Sequence, residues 1–244
     1  MAITSVAQPS QNERALKNAV SNHLAASFAI IFDMDGTLVD NTSYHFKSWQ
    51  ALFKAHGKGK LSKQTYETGI SGVPVMDSIR RIFGDEYDQA GLKKLFTEKE
   101  EFYRKEYAPY VAPVNGLENF LAELKDAGVK MALASSATVD DINFILDHVP
   151  IRQDFNVIVN STMVSKPKPH PQIFLKAAEK LHMPPEKCVV FEDSLAGIKA
   201  GNAAGMRVVG ITTNHTAAEL HPVDLVINDY SQLNVRKIAA LFKQ

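Results

Sequence analysis

Phe28-Ala29-Ile30-Ile31-Phe32-Asp33-Met34-Asp35-Gly36-Thr37-Leu38 sets five apolar residues directly before two aspartates and a glycine. An apolar run of this kind predicts a strand buried on both faces, as in a parallel sheet. Its abrupt acidic end puts Asp33 and Asp35 where the strand leaves the sheet. Carboxylates two residues apart at such an exit repel one another, and a divalent cation is the natural compensation. Gly36 permits the tight turn that lets backbone and side chains approach a ligand. In that setting Asp33 can attack phosphorus and form an aspartyl phosphate, while Asp35 handles the leaving group's proton. The alternative is an acidic turn without chemistry.

Working outward, residues 1–26 form a polar extension in which Ala15, Leu16, Ala19 and Val20 have the spacing of a short amphipathic helix. From Asn41 to Ala112 the character changes: Phe46, Trp49 and Phe53 recur at helical spacing, as do Val75, Ile79 and Ile82, and Leu92–Tyr107 reads as a charged helix. No strand is predicted there, so residues 41–112 form a helical insert. After Pro113, helices at 116–127, 138–148, 170–182, 195–204 and 231–242 alternate with strands at Val129–Ala134, Phe155–Val159, Cys188–Phe191, Arg207–Ile211 and Asp224–Ile227. Such alternation predicts an α/β fold, a doubly wound, mostly parallel, Rossmann-like sheet built from residues 27–40 and 113–244. Sheets of this type place their sites beyond the carboxyl ends of the strands.

Three more strand ends or loops fit that rule. Leu133-Ala134-Ser135-Ser136-Ala137 brings small hydroxyl residues to the start of a helix, where Oγ and free N–H groups can contact phosphate; helix capping is the alternative. Ser165-Lys166-Pro167-Lys168-Pro169-His170-Pro171 is stiffened by its prolines and can hold a lysine over the nucleophile and the transferring group. Glu192-Asp193-Ser194 ends the strand that begins at Cys188, and with Asp33 and Asp35 it completes an oxygen-only site suited to Mg²⁺. Each motif has an ordinary structural reading, but all four fall at the predicted sheet edge in one chain.

The composition of the 244 residues narrows the classes. Lys plus Arg equals Asp plus Glu at 27 each, so no overall field attracts nucleic acid or an acidic membrane. Hydrophobic residues at 45% and charged residues at 22% suit a globular core. The single Cys188, inside an apolar run, makes neither an intramolecular disulfide nor a thiolate metal cluster. The first residues lack the basic-then-apolar pattern of a secretory signal, and no apolar run approaches the roughly 20 residues that span a bilayer. A cytoplasmic monomer acting on a small phosphorylated metabolite is therefore the expectation, with no nucleic acid or membrane partner.

With these motifs in place, the sequence resembles the haloacid dehalogenase superfamily, in its β-phosphoglucomutase-like branch. The resemblance runs from Phe28 onward and rests on F-D-M-D-G-T-L-V-D at 32–40, L-A-S-S-A at 133–137, K-P-H-P-Q-I-F at 168–174 and V-F-E-D-S-L-A-G-I-K-A-G at 190–201. It implies Asp33 as nucleophile, Asp35 as acid/base, and Lys168, Gly36, Ser135, Ser136 and Ala137 at the phosphate. It implies a Mg²⁺ site from Asp33, the Asp35 carbonyl, Glu192 and Asp193, and a mobile helical cap in residues 41–112. Lys168 is preferred to Lys166 because it starts the K-P-x-P-x-x-F pattern, with Phe174 in register. Haloalkanoate-cleaving members lack the second aspartate, so Asp35 points to phosphate esters. Within the insert, His45 and Lys99 are candidate substrate contacts. In the mutases the cap loop after a Gly-Val carries a phosphate-gripping arginine. Here Val75 occupies that place after Gly72-Val73, which favours a phosphatase of a sugar-like phosphomonoester over a mutase. A phosphometabolite-binding protein without turnover remains a further alternative.

Overall fold

The computed structural model describes residues 28–71 and 73–243, so the extension 1–26, its helix at 15–20, and Gly72 lie outside the described residues. Six strands run along the chain: β1 (Ala29–Phe32), β2 (Lys130–Ala134), β3 (Val157–Val159), β4 (Cys188–Glu192), β5 (Arg207–Ile211) and β6 (Leu225–Ile227). Between β1 and β2 lie α1 (Thr42–Ala55), α2 (Lys63–Gly69), α3 (Val75–Phe83), α4 (Gln89–Tyr107) and α5 (Leu117–Asp126). Then α6 (Val139–His148) precedes β3, α7 (Gln172–Leu181) precedes β4, α8 (Leu195–Ala203) precedes β5, and α9 (Val235–Ala240) follows β6.

The strands form one sheet in the order β3-β2-β1-β4-β5-β6, and every pairing is parallel. This is the doubly wound architecture expected from the alternation. In β1 the residues alternate between two cores. Phe28, Ile30 and Phe32 pack with α5, α6 and α9, while Ala29 and Ile31 pack with α7 and α8. Both faces are therefore apolar, which is why the sequence reads as an unbroken hydrophobic run. A third core joins Trp49, Leu52, Tyr66, Ile79, Phe83, Leu92 and Leu95 of α1–α4. The far end of α4 does otherwise: Tyr103 and Tyr107 join the main core.

Several ends differ from the sequence reading by one to four residues, and two of them have a visible cause. The strand expected from Phe155 starts at Val157, because Arg152–Asp154 form a 3-10 turn and the Asn156 side-chain oxygen accepts the Met131 N–H at 2.8 Å. The helix expected from 231 starts at Val235, because Tyr230–Gln232 form another 3-10 turn and Asn234 caps the helix by accepting from Lys237 N–H at 2.9 Å. Among the described residues, no helix is long and apolar enough to cross a membrane.

Candidate active site

The parallel register decides which residues meet. Phe32 pairs with Leu133 on one side and with Phe191 on the other. The next residues along the three strands are Asp33, Ala134 and Glu192, so Asp33, Ser135, Glu192 and Asp193 share one sheet edge. The chain winds from β1 outward through β2 and β3, then returns to β1's other side with β4. The gap between β1 and β4 is therefore the topological switch point, where such sheets open a crevice. Asp33 is fastened there by its N–H, which donates to Phe191 O at 3.0 Å.

Lys168 crosses this edge. Its Nζ donates to Asp33 Oδ1 at 2.5 Å and to Glu192 Oε1 at 2.6 Å, and lies 4.8 Å from the centre of the Phe174 ring. Lys166 instead lies exposed, its backbone N–H given to Gln172 Oε1 at 2.8 Å. The second oxygen of Glu192 accepts from the N–H and the hydroxyl of Ser194, at 3.0 and 2.8 Å. Ser194 also caps α8, accepting from Gly197 N–H at 3.0 Å, so it orients a carboxylate and starts a helix at once.

Two glycines make room for the acids. Gly36 has φ +76°, and a Cβ there would fall 2.0 Å from Asp193 Oδ2. A Cβ on Gly197 would fall 1.7 Å from Glu192 Oε1. Asp33, Glu192 and Asp193 are buried, and ligand oxygens of the three lie within 4.8 Å of one another. Burial pushes the Asp33 carboxyl up to about 8, with Lys168 opposing and Glu192 and Asp35 adding to the rise. Asp193 is driven well above its usual value by burial, then by Glu192 and Asp33. Burial alone would lower Lys168, yet Asp33 and Glu192 hold it above its ordinary range. Ionised together, three buried carboxyls against one ammonium would carry surplus negative charge on an all-oxygen donor set, which fits a hard divalent cation.

Asp35 stands apart from that trio and turns toward the helical segment. Its carboxylate accepts from Asn41 Nδ2 at 2.6 Å and lies 3.7 Å from His45 Nε2, beyond ordinary hydrogen-bond distance. Burial opposes ionisation here, but His45, Asn41 and Lys99 together hold Asp35 below the usual carboxylate range. Asn41 also donates to the Tyr103 hydroxyl at 2.6 Å and accepts from Gly36 N–H at 3.2 Å. Sequence reasoning missed Asn41. It sits at the N-cap position of α1, where an Asn reads as a cap, yet its side chain makes no capping bond. Thr213 was missed too, and its hydroxyl donates to Gly36 O.

Ser135 is buried and its Oγ accepts from Ala137 N–H at 3.0 Å, while Ser136 is exposed and Ala137 half-buried. The cap of α6 is the next residue, Thr138, which accepts from Asp141 N–H at 3.2 Å. His45 stacks on Tyr103, ring centres 4.1 Å apart, and its Nδ1 faces Lys99 Nζ at 3.1 Å. Lys99 is fully buried and paired with both oxygens of Glu100, at 3.2 and 3.1 Å. His45, Lys99 and Glu100 line one cavity of about 800 Å³ that also receives Asp33, Asp35, Ser136, Ala137, Lys168, Glu192 and Asp193.

A family model described as haloacid dehalogenase-like hydrolase matches residues 30–211. The beta-phosphoglucomutase of Bacillus subtilis (strain 168) is 32% identical over 232 residues, covering 88% of this chain and 96% of that protein. Hexitol phosphatase A of Escherichia coli (strain K12) is 29% identical over 209 residues, covering 85% and 93%. Among solved structures, the HAD hydrolase of family IA, variant 3, from Entamoeba histolytica HM-1:IMSS has a TM-score of 0.82 at 26% identity, covering 89% of this chain and 100% of that one.

Proposed function

The chain belongs to the haloacid dehalogenase-like hydrolase family, and on that premise we propose that it is a Mg²⁺-dependent phosphatase of a small, sugar-like phosphomonoester. The observation that carries the reading is the convergence of Asp33, Lys168, Glu192 and Asp193 on one sheet edge, with Asp35 beside them in the same cavity. Asp33, Asp193 and Glu192, with the Asp35 carbonyl, would hold the Mg²⁺. Bound there, the ion neutralises the clustered acids and offsets charge on the phosphoryl oxygens.

Asp33 Oδ attacks phosphorus in line, and the bond to the ester oxygen breaks as Asp35 gives that oxygen a proton. Asp35 is held ionised in the free protein, and the dianionic ester raises its affinity for the proton it must deliver. Once the alcohol leaves, Asp35 takes a proton from water. The resulting hydroxide attacks phosphorus, and Asp33 departs as free carboxylate with inorganic phosphate. Ser135, the Ser136 amide and Lys168 hold the non-bridging oxygens. Residues 41–112 act as a cap over the cavity, with His45 and Lys99 on its inner wall.

The Bacillus subtilis relative favours a second reading, a sugar-phosphate mutase. Such an enzyme must grip a second phosphate, for which arginine's bidentate fork is suited. No arginine lines the cavity among the described residues. Val75 lines it at the start of α3, and the nearby arginines are exposed, Arg80 paired with Asp77 and Arg81 donating to Gly69 O. Phosphate release with Mg²⁺ over a panel of sugar, polyol and glycolate phosphates, nucleotides and pyrophosphate decides between the readings. Release that Asp33→Asn abolishes supports the phosphatase. Release only after priming with a bisphosphate, with total ester conserved, would install the mutase, and binding without turnover would leave a sensor.

A further inference from the structure

The non-reacting half of the cavity is walled by the helical segment, and its charges run against a second anion. Glu67, Asp77 and Glu100 reach the cavity from α2, α3 and α4, against one lysine, Lys99. That lysine is not free: Glu100 chelates its Nζ through both oxygens, at 3.2 and 3.1 Å, and His45 Nδ1 takes a third contact at 3.1 Å. The pair is shielded, with side-chain exposures of 0% and 6%, so its two charges cancel where water cannot screen either one. Trp49, Ile70, Val75 and Phe96 supply the rest of that wall. The remaining basic residues on the lining, Lys199 and His215, belong to α8 and the segment beyond β5, on the sheet side.

We infer that Glu100 is a specificity-determining residue. By cancelling Lys99 it restricts the protein to esters whose distal end is uncharged, a polyol or sugar ring bearing a single phosphate, and excludes bisphosphates. The inference rests on the phosphoester reading above and narrows its substrate class. A distal anion would meet a lysine neutralised by Glu100 and two carboxylates, Glu67 and Asp77, whose own cations, Lys63 and Arg80, are held by them at 3.4 and 3.2 Å. Uncharged hydroxyls meet acceptors on Glu67, Asp77 and Glu100 and an apolar floor. Removing the Glu100 charge would leave Lys99 uncompensated and reverse the preference.

The test compares fructose 1-phosphate with fructose 1,6-bisphosphate, which differ only at the distal carbon. Their dissociation constants are measured calorimetrically on the Mg²⁺-loaded protein, alongside kcat/KM for each. Wild type should favour the monophosphate. Glu100→Gln keeps the shape and should raise the bisphosphate-to-monophosphate affinity ratio about tenfold or more, tenfold being the effect of one freed charge about 12 Å away at an effective dielectric near 20. Asp77→Asn, at an exposed position, should move the ratio the same way by less, and serves if Glu100→Gln does not fold. Ratios unchanged within about twofold in the folded variants, equal binding of both esters by wild type, or binding of neither would overturn the inference. A shifted binding ratio without phosphate release would instead uphold it and refute the phosphatase reading.

Discussion

The Asp33 carboxyl makes the metal-free protein sensitive to alkali. In the folded chain burial pushes its pKa up to about 8, against an ordinary value of 3.8. Between those values the folded state binds more protons than the unfolded state, so stability falls as pH rises. The penalty is absent below about pH 4, grows through the window, and is complete above about pH 8. At 1.36 kcal/mol per unit, three units of that window give a ceiling of about 4 kcal/mol. Lys168 and Asp193 share in the same proton, so about 2–4 kcal/mol is the expected loss between pH 5 and pH 8. Asp33→Asn carries no charge at any pH and lacks this term, although it weakens the Lys168 contact by a pH-independent amount. Urea unfolding of both proteins in EDTA across this range measures the difference of slopes. The wild type should lose about 2–4 kcal/mol relative to the variant, and saturating Mg²⁺ should close most of that gap. Parallel curves in EDTA would refute the picture of three crowded acids held against one lysine.

The same proton must leave when a cation arrives. Mg²⁺ binding at pH 7 should release about one proton per ion, seen as calorimetric heats that depend on the ionisation enthalpy of the buffer; buffer-independent heats would count against Asp33 as a ligand. Gly197→Ala should lower kcat by about 10²-fold or more, because its methyl would occupy the Glu192 carboxylate's position and release Lys168 from its second anchor. Circular dichroism should still report a folded protein, and activity within a few-fold of wild type would show that Glu192 does not hold Lys168 in place.

The parts of the fold and site that could be read in the sequence are those with a local signature. The strands that carry the site, β1, β2 and β4, are apolar runs with acids or serines at or just beyond their ends, so the edge residues can be named without knowing the strand order. Phe174 selects Lys168 over Lys166 because Pro169 and Pro171 fix the intervening path, and its ring lies beneath the Lys168 ammonium. What could not be read depends on distant partners. Asn41 has the local signature of a helix cap, and only Tyr103, 62 residues away, and Asp35 reveal its other use. Glu100 is one acid in the run Glu98-Lys99-Glu100-Glu101, and burial alone separates it from its exposed neighbour Glu101. The ion pair of Arg104 with Asp141, at 2.6 Å, joins α4 to α6 across a gap of 37 residues and has no local trace at all.

Asp33 and Asp35 look equivalent in the sequence, two acids flanking one methionine after one strand. The fold separates them by giving each a different set of neighbours. Asp33 stays in the sheet edge among Glu192 and Asp193, where burial and like charge favour its protonated form. Asp35 turns outward to Asn41, His45 and Lys99, which favour its ionised form. A pair of carboxylates whose proton affinities are pushed apart is the arrangement that divides labour in acid/base chemistry. Without a cation, the residue proposed to attack phosphorus is the one that holds its proton at neutral pH, and a protonated carboxyl is a poor nucleophile. A divalent ion held by Asp33, Glu192 and Asp193 would reverse that state and leave Asp35, outside the trio, free for its proton. On the proposed reading, the metal would create the nucleophile as well as help to bind the phosphate, at acids whose burial disfavours their unpaired charge.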